Sequence, residues 1–277
     1  MSKEQIIEKY RRNIVFIGVT VETEEETSVR LMGTGFVVDG QYVVTSSEVY
    51  RKAESMAHGR FFAGVLEKTE GGVDMYQTVS VSFADIDDAR GVCVLAFKER
   101  RAIGFSLDDF EVEEDRLKAG VDALVFGFAQ RFPAEPRLIA CQTMVGAVEM
   151  STMSIRYSSV DRLICDFRPW PESLGSPCVD LDTGRIIGVL TGTYQLWGKD
   201  TRAIPLGHGL VAGGFTAGGL AVAEPATKIY DTIDSISLVM PVNPRAYDDE
   251  EDASNDEIDE DELAETLAEE IYDPARF

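Results

Sequence analysis

The chain has 277 residues, 44% of them hydrophobic, enough for one large domain or two modest ones with a substantial core. Acidic side chains outnumber basic ones 49 to 26; fifteen of the acids fall between Asp248 and Asp273, a stretch with no Lys or Arg, which leaves residues 1–247 at −9 of a total of −23. This balance argues against direct nucleic-acid binding, which needs Lys and Arg against phosphate. A membrane span is equally unfavoured, because the nearest apolar run, Leu206 to Ala226, holds six glycines and His208.

In chain order, "SKEQIIEKYRR" sets Ile6, Ile7 and Tyr10 at helical spacing behind Ser2, which predicts a short capped N-terminal helix. Acids in this stretch, and the lack of a long apolar core after its charges, do not fit a signal peptide. A cytoplasmic location with reduced thiols is therefore expected. Short β-rich runs follow, among them "NIVFIGVTV", "GTGFVVDG", "QYVVTSS", "TVSVSFAD", "GVCVLAF", "DALVFGFA", "TMVGAVEM", "RLICDF", "CVDLDTGRIIGVLTGTY" and "ISLVMPVN", separated by turn signals such as "DG", "EGG" and "DTG". Many short strands with few long helical patterns predict an all-β barrel or sandwich. An acidic connector, residues 105–120, divides the run into two halves. This gives residues 1–118 as an N-terminal helix plus a first barrel, and 119–242 as a second barrel with a glycine-rich insert at 198–226. Residues 243–277 form an acidic tail.

Cys93, Cys141, Cys165 and Cys178 sit in strand-like apolar runs without the spacing of metal ligands, and only His58 and His208 are available as imidazoles. No metal site and no cofactor is expected, and the cysteines read as small buried hydrophobes. Most of the tail has the composition of disorder. Its end differs: Leu263, Leu267 and Ile271 recur every four residues over 259–272, an amphipathic helix that would bury its stripe only in a partner's groove.

Three segments in order carry a resemblance: "GTGFVVDGQYVVTSSEV" (33–49), "DDARGVCVLAF" (87–97) and "ESLGSPCVDLDTGRIIGV" (172–189). Together they resemble the three catalytic segments of chymotrypsin-like serine proteases, closest to the HtrA/Deg type. "KAGVDALVFGF" and "ISLVMPVN" resemble two further strands of that family. The resemblance covers roughly residues 13–242 and implies two six-stranded β-barrels side by side with a cleft between them. It places the family's histidine at Glu48, its aspartate at Gly91 and its nucleophilic serine at Leu174. The glycine that contributes to the oxyanion hole falls at Glu172.

Serine proteolysis needs a hydroxyl nucleophile, an imidazole base and a carboxylate that orients the imidazole. Leu174 has no nucleophilic atom, Gly91 has no side chain, and a carboxylate at Glu48 is too weak a base to activate a serine near neutrality. Glu172 would oppose a developing negative oxygen, and one lost donor in such a hole costs about 2.7–4 kcal/mol. The sequence alone therefore predicts a chain that is not an enzyme, a trypsin-like pseudoprotease acting as a cytoplasmic protein-binding or regulatory module. The partner, a protein, would be engaged through the cleft, the acidic tail or both. Two alternatives stand beside this reading: an acidic tail that mimics nucleic acid on a basic protein, and a hydrolase with a displaced site using Ser46, Ser47, Ser173, Ser176 or His208.

Overall fold

The structure, a computed structural model, describes residues 2–22, 27–57, 61–130, 136–154, 157–194 and 220–239. The body divides from a second unit, Met240–Phe277, that lies outside those residues. Helix α1 (Lys3–Tyr10) opens the chain as expected, with the Ser2 and Gln5 side chains capping each other's backbone. Six strands then close a first barrel: β1 (Ile14–Glu22), β2 (Thr27–Val38), β3 (Tyr42–Ser46), β4 (Phe61–Glu70), β5 (Val73–Asp87) and β6 (Val92–Phe97). A second barrel closes from β7 (Asp122–Ala129), β8 (Arg137–Ser154), β9 (Tyr157–Cys165), β10 (Pro177–Asp180), β11 (Ile186–Tyr194) and β12 (Leu220–Pro225). All neighbouring strands run antiparallel. The fold is the expected all-β double barrel.

Period-2 alternation explains how unbroken apolar runs such as "YVV" and "VCVL" become strands: both faces are buried, in different places. Along β1, Val15, Ile17 and Val19 point into the first barrel, while Ile14 and Phe16 point out into a separate apolar layer. The same division sets Cys93 and Leu95 against Val92 and Val94 on β6. On β7 it sets Ala123 and Val125 against Leu124, Phe126 and Phe128. The outward residues of both barrels meet in one shared core, where Phe16 and Phe128 pack edge to face.

Three expectations are corrected. "ISLVMPVN" does not supply a strand: Ile236 to Val239 end a helix, α3 (Ala226–Val239), whose Ile229, Ile233 and Ile236 recur at helical spacing and bury in the shared core. The last barrel strand is instead β12, drawn from the end of the segment read as an insert. After "VVTS" the chain continues as helix α2 (Ser47–Ala57). Cys93, Cys165 and Cys178 are buried as predicted, whereas Cys141 is half-exposed on β8, and all four are free thiols. Among the described residues, no helix is long and apolar enough to cross a membrane.

Candidate functional site

The three sequence-predicted positions come from the first turn of α2, just after β3, the turn before β6 and the loop before β10. Glu48 is the second residue of α2 and is exposed. That helix is seated by the Ser46 hydroxyl, which accepts the Val49 N–H at 3.2 Å. Beside it, the Ser47 N–H donates to the Gly91 carbonyl at 2.8 Å, so positions 48 and 91 are held together across β3 and β6. Gly91 has φ +73°, a conformation that side-chain-bearing residues rarely adopt. A Cβ there would point between Thr191 and the Ser47 hydroxyl, 3.3 Å from the Thr191 Cβ and 3.9 Å from the Ser47 Oγ.

Leu174 is 3% exposed and packs into the first barrel's interior with Val49, Met32 and Ile17. A tight turn, Pro171–Ser173, delivers it there. The turn is fixed by the Ser173 hydroxyl donating to the Trp170 carbonyl (2.6 Å) and the Trp170 indole N–H donating to the Phe128 carbonyl (2.6 Å). Thr34 on β2 clamps the loop: its N–H donates to the Leu174 carbonyl (2.9 Å), its hydroxyl donates to the Glu172 carbonyl (2.7 Å), and the same hydroxyl accepts the Phe128 N–H (2.8 Å). Gly175 has φ +84°, and a Cβ there would overlap the Thr34 carbonyl and the Thr45 hydroxyl. Glu172 is half-buried and enters this arrangement through its backbone carbonyl.

Ser46, Ser173 and Ser176 are fully buried and Ser47 is 8% exposed. The Ser176 hydroxyl makes no hydrogen bond and lies where a Cβ on Gly127 would stand. His58 and His208 lie outside the described residues, as do Leu263, Leu267 and Ile271.

One polar cluster near this site was missed from sequence. Glu224 on β12 is 3% exposed, 3.8 Å from the Lys228 ammonium; Lys228 bonds Asp161 at 2.9 Å, and the Arg90 guanidinium bonds the Lys228 carbonyl at 3.1 Å. Burial raises the Glu224 carboxyl to about 7, opposed by the charges of Lys228, Arg90 and Arg162 and reinforced by Asp161. Asp161 is held below the usual carboxylate range, chiefly by its hydrogen bond from Lys228. A Glu four residues before a Lys, at positions 224 and 228, is the one signal the sequence offered. Among the described residues, no group of His, Cys, Asp and Glu could hold a metal ion.

The model of the trypsin-like peptidase domain family matches residues 33–189, more than half of the chain. The chain belongs to that family. No curated protein matches it in sequence at a significant level. Among solved structures, the HtrA-type protease AlgW with a decapeptide is similar at 12% identity and a TM-score of 0.57, over 85% of this chain and 67% of that one. The MamO protease domain from Magnetospirillum magneticum is similar at 15% identity and a TM-score of 0.52, over 81% and 97%. The Rv3671c protease from M. tuberculosis, active form, is similar at 15% identity and a TM-score of 0.54, over 86% and 87%. At these identities the likeness is one of fold, and this chain spans about two thirds of the AlgW chain's length.

Membership of the trypsin-like family corrects the expectation that the chain is not an enzyme. The family is one of peptidases and the similar structures are those of proteases, which point to a protease. The residues at 48, 91 and 174 describe how the site is built and do not show inactivity.

Proposed function

We propose that this trypsin-like chain works in the cytoplasm as a regulatory protein-binding module. It would seat a segment of a protein partner in the cleft beside Glu48 and Glu172. The observation that supports the reading is the clamp of Thr34, Gly175 and Phe128, which fixes the loop carrying Glu172 while Leu174 anchors it in the first barrel's interior. A cleft of fixed shape favours binding, because little ordering is left to be done when the partner arrives. Four free thiols fit the cytoplasmic part of the proposal. The test is selection of peptides from a displayed library on the full chain, then affinity measurement with Glu48→Lys and Glu172→Lys. Loss of about tenfold or more in either variant is expected; unchanged affinity in both would remove the cleft from the proposal.

A second reading is favoured by the family itself: hydrolysis of a peptide through residues other than 48, 91 and 174. Its candidates are Ser46, Ser47, Ser173, Ser176 and His208. Turnover of a broad peptide library, together with fluorophosphonate labelling that a single Ser→Ala change abolishes, is the result it requires.

A further inference from the structure

On the first barrel, away from the cleft residues, a hollow of about 400 Å³ opens between the end of α1, the β2–β3 turn and the loop after β6. Its size is within the range of small-ligand pockets. Lys9, Arg12, Arg100 and Arg101 line it, against one carboxylate, Asp39. Lys9 is already committed, 3.5 Å from Asp109 and bonded to the Tyr10 hydroxyl. The three arginines are not: none forms an ion pair among the described residues. In a chain with nearly two acids for every base, three guanidiniums around one hollow with no ion-pair partner among the described residues are a marked departure.

The hollow is also held in shape. The Arg100 Nε donates to the Asp39 carbonyl at 3.0 Å. Arg101 donates to the Gln77 side chain at 3.4 Å and its guanidinium sits 5.7 Å from the centre of the Phe97 ring. Beneath them the backbone is cross-tied: the Arg101 N–H to the Gly40 carbonyl (2.7 Å), the Asp39 N–H to the Phe105 carbonyl (2.8 Å) and the Gly104 N–H to the Asn13 side chain (3.0 Å). Gly40, at φ +70°, is required there, because a Cβ would overlap the Arg101 carbonyl. Guanidiniums fixed in this way present planar, paired donors that match carboxylates.

We propose that this hollow binds an acidic segment, rich in Asp and Glu, of a partner protein, with Arg12, Arg100 and Arg101 as the recognising groups. A nucleic acid is the poorer occupant: residues 1–247 carry −9 and would repel a long phosphate backbone beyond the hollow, whereas a short run of carboxylates stays within it.

The experiment is fluorescence anisotropy of a labelled oligoglutamate peptide with the full chain at low ionic strength. Binding is expected to weaken as salt is added, and to fall about tenfold in the double variant Arg12→Glu/Arg100→Glu. Arg168→Glu, a charge reversal at an exposed site outside the hollow and half the charge change of the double variant, is expected to leave binding within about twofold. The proposal is overturned if oligoglutamate does not bind, or if Arg168→Glu weakens it as much as the double variant. It is also overturned if an oligothymidylate of equal length binds more tightly. Because Glu48→Lys and Glu172→Lys should leave oligoglutamate binding intact, failure of the cleft reading and failure of this one are distinguishable.

Discussion

The loop at Leu174 and the cluster at Glu224 are both buried, and they are buried on opposite terms. Leu174 is an apolar side chain that fills a barrel interior, where burial leaves no polar atom of its own side chain without a partner. Glu224 keeps a carboxylate out of water, with a lysine at 3.8 Å and one oxygen that makes no hydrogen bond. The first region is stabilised by burial, the second is strained by it. Shape should therefore dominate substitutions at the first, and protonation at the second.

The largest effect is expected at Gly175. Gly175→Ala puts a Cβ against the Thr34 carbonyl at a φ that alanine tolerates poorly, and should cost about 4 kcal/mol, read as a lower urea midpoint or loss of soluble protein. Next, Leu174→Ala leaves a cavity in the first barrel and should cost about 3 kcal/mol in the same assay. A loss below about 1 kcal/mol would mean that the loop is not anchored by this side chain.

Glu224 supplies the contrast in pH. Its carboxyl is raised from an ordinary 4.5 to about 7, so the folded state binds the proton more tightly than the unfolded state. The associated stability is fully present below about 4.5, and is lost as pH rises through about 7, on the order of 3 kcal/mol in all. Glu224→Gln should remove this loss, so that its unfolding midpoint exceeds that of the natural chain at pH 8 but not at pH 4. The smallest effect belongs to Glu48. Exposed at the first turn of α2, it should change stability by less than about 0.5 kcal/mol as Glu48→Gln; a larger change would reveal a structural role that neither region suggests.

The two regions also differ in how far sequence discloses them. The Leu174 loop is readable because its framework is local: Gly175, Pro177 and the start of the strand at Ile186 lie within a dozen residues and resemble a family pattern. The double barrel is readable for a related reason, since unbroken apolar runs between turn signals have few other uses. The Glu224 cluster is assembled from residues 90, 161, 224 and 228, and no spacing rule connects positions that meet only when barrels close. Residues 61–70, now β4, escaped because "FFAGVL" is apolar on both faces at one end and "EKTE" polar at the other, which hides the alternation. "ISLVMPVN" misled for the opposite reason: its β-branched residues favour a strand locally, but it continues a helical apolar stripe begun at Ile229, and burial in the shared core prevails over local propensity. The Arg12, Arg100 and Arg101 hollow was hidden by totals, because a net charge of −23 says nothing of where the positive charges gather.

One small contact bears on the order in which the chain is built. The Tyr10 hydroxyl donates to the Gly184 carbonyl at 2.9 Å, and its ring lies 4.7 Å from that of Phe105. During synthesis Tyr10 emerges first and Gly184 only 174 residues later. An eight-residue helix is marginal in water by itself, so α1 lacks its full seat until the second barrel is more than half made. Helix α1, translated before either barrel, therefore reaches its final place only after most of both barrels has been made.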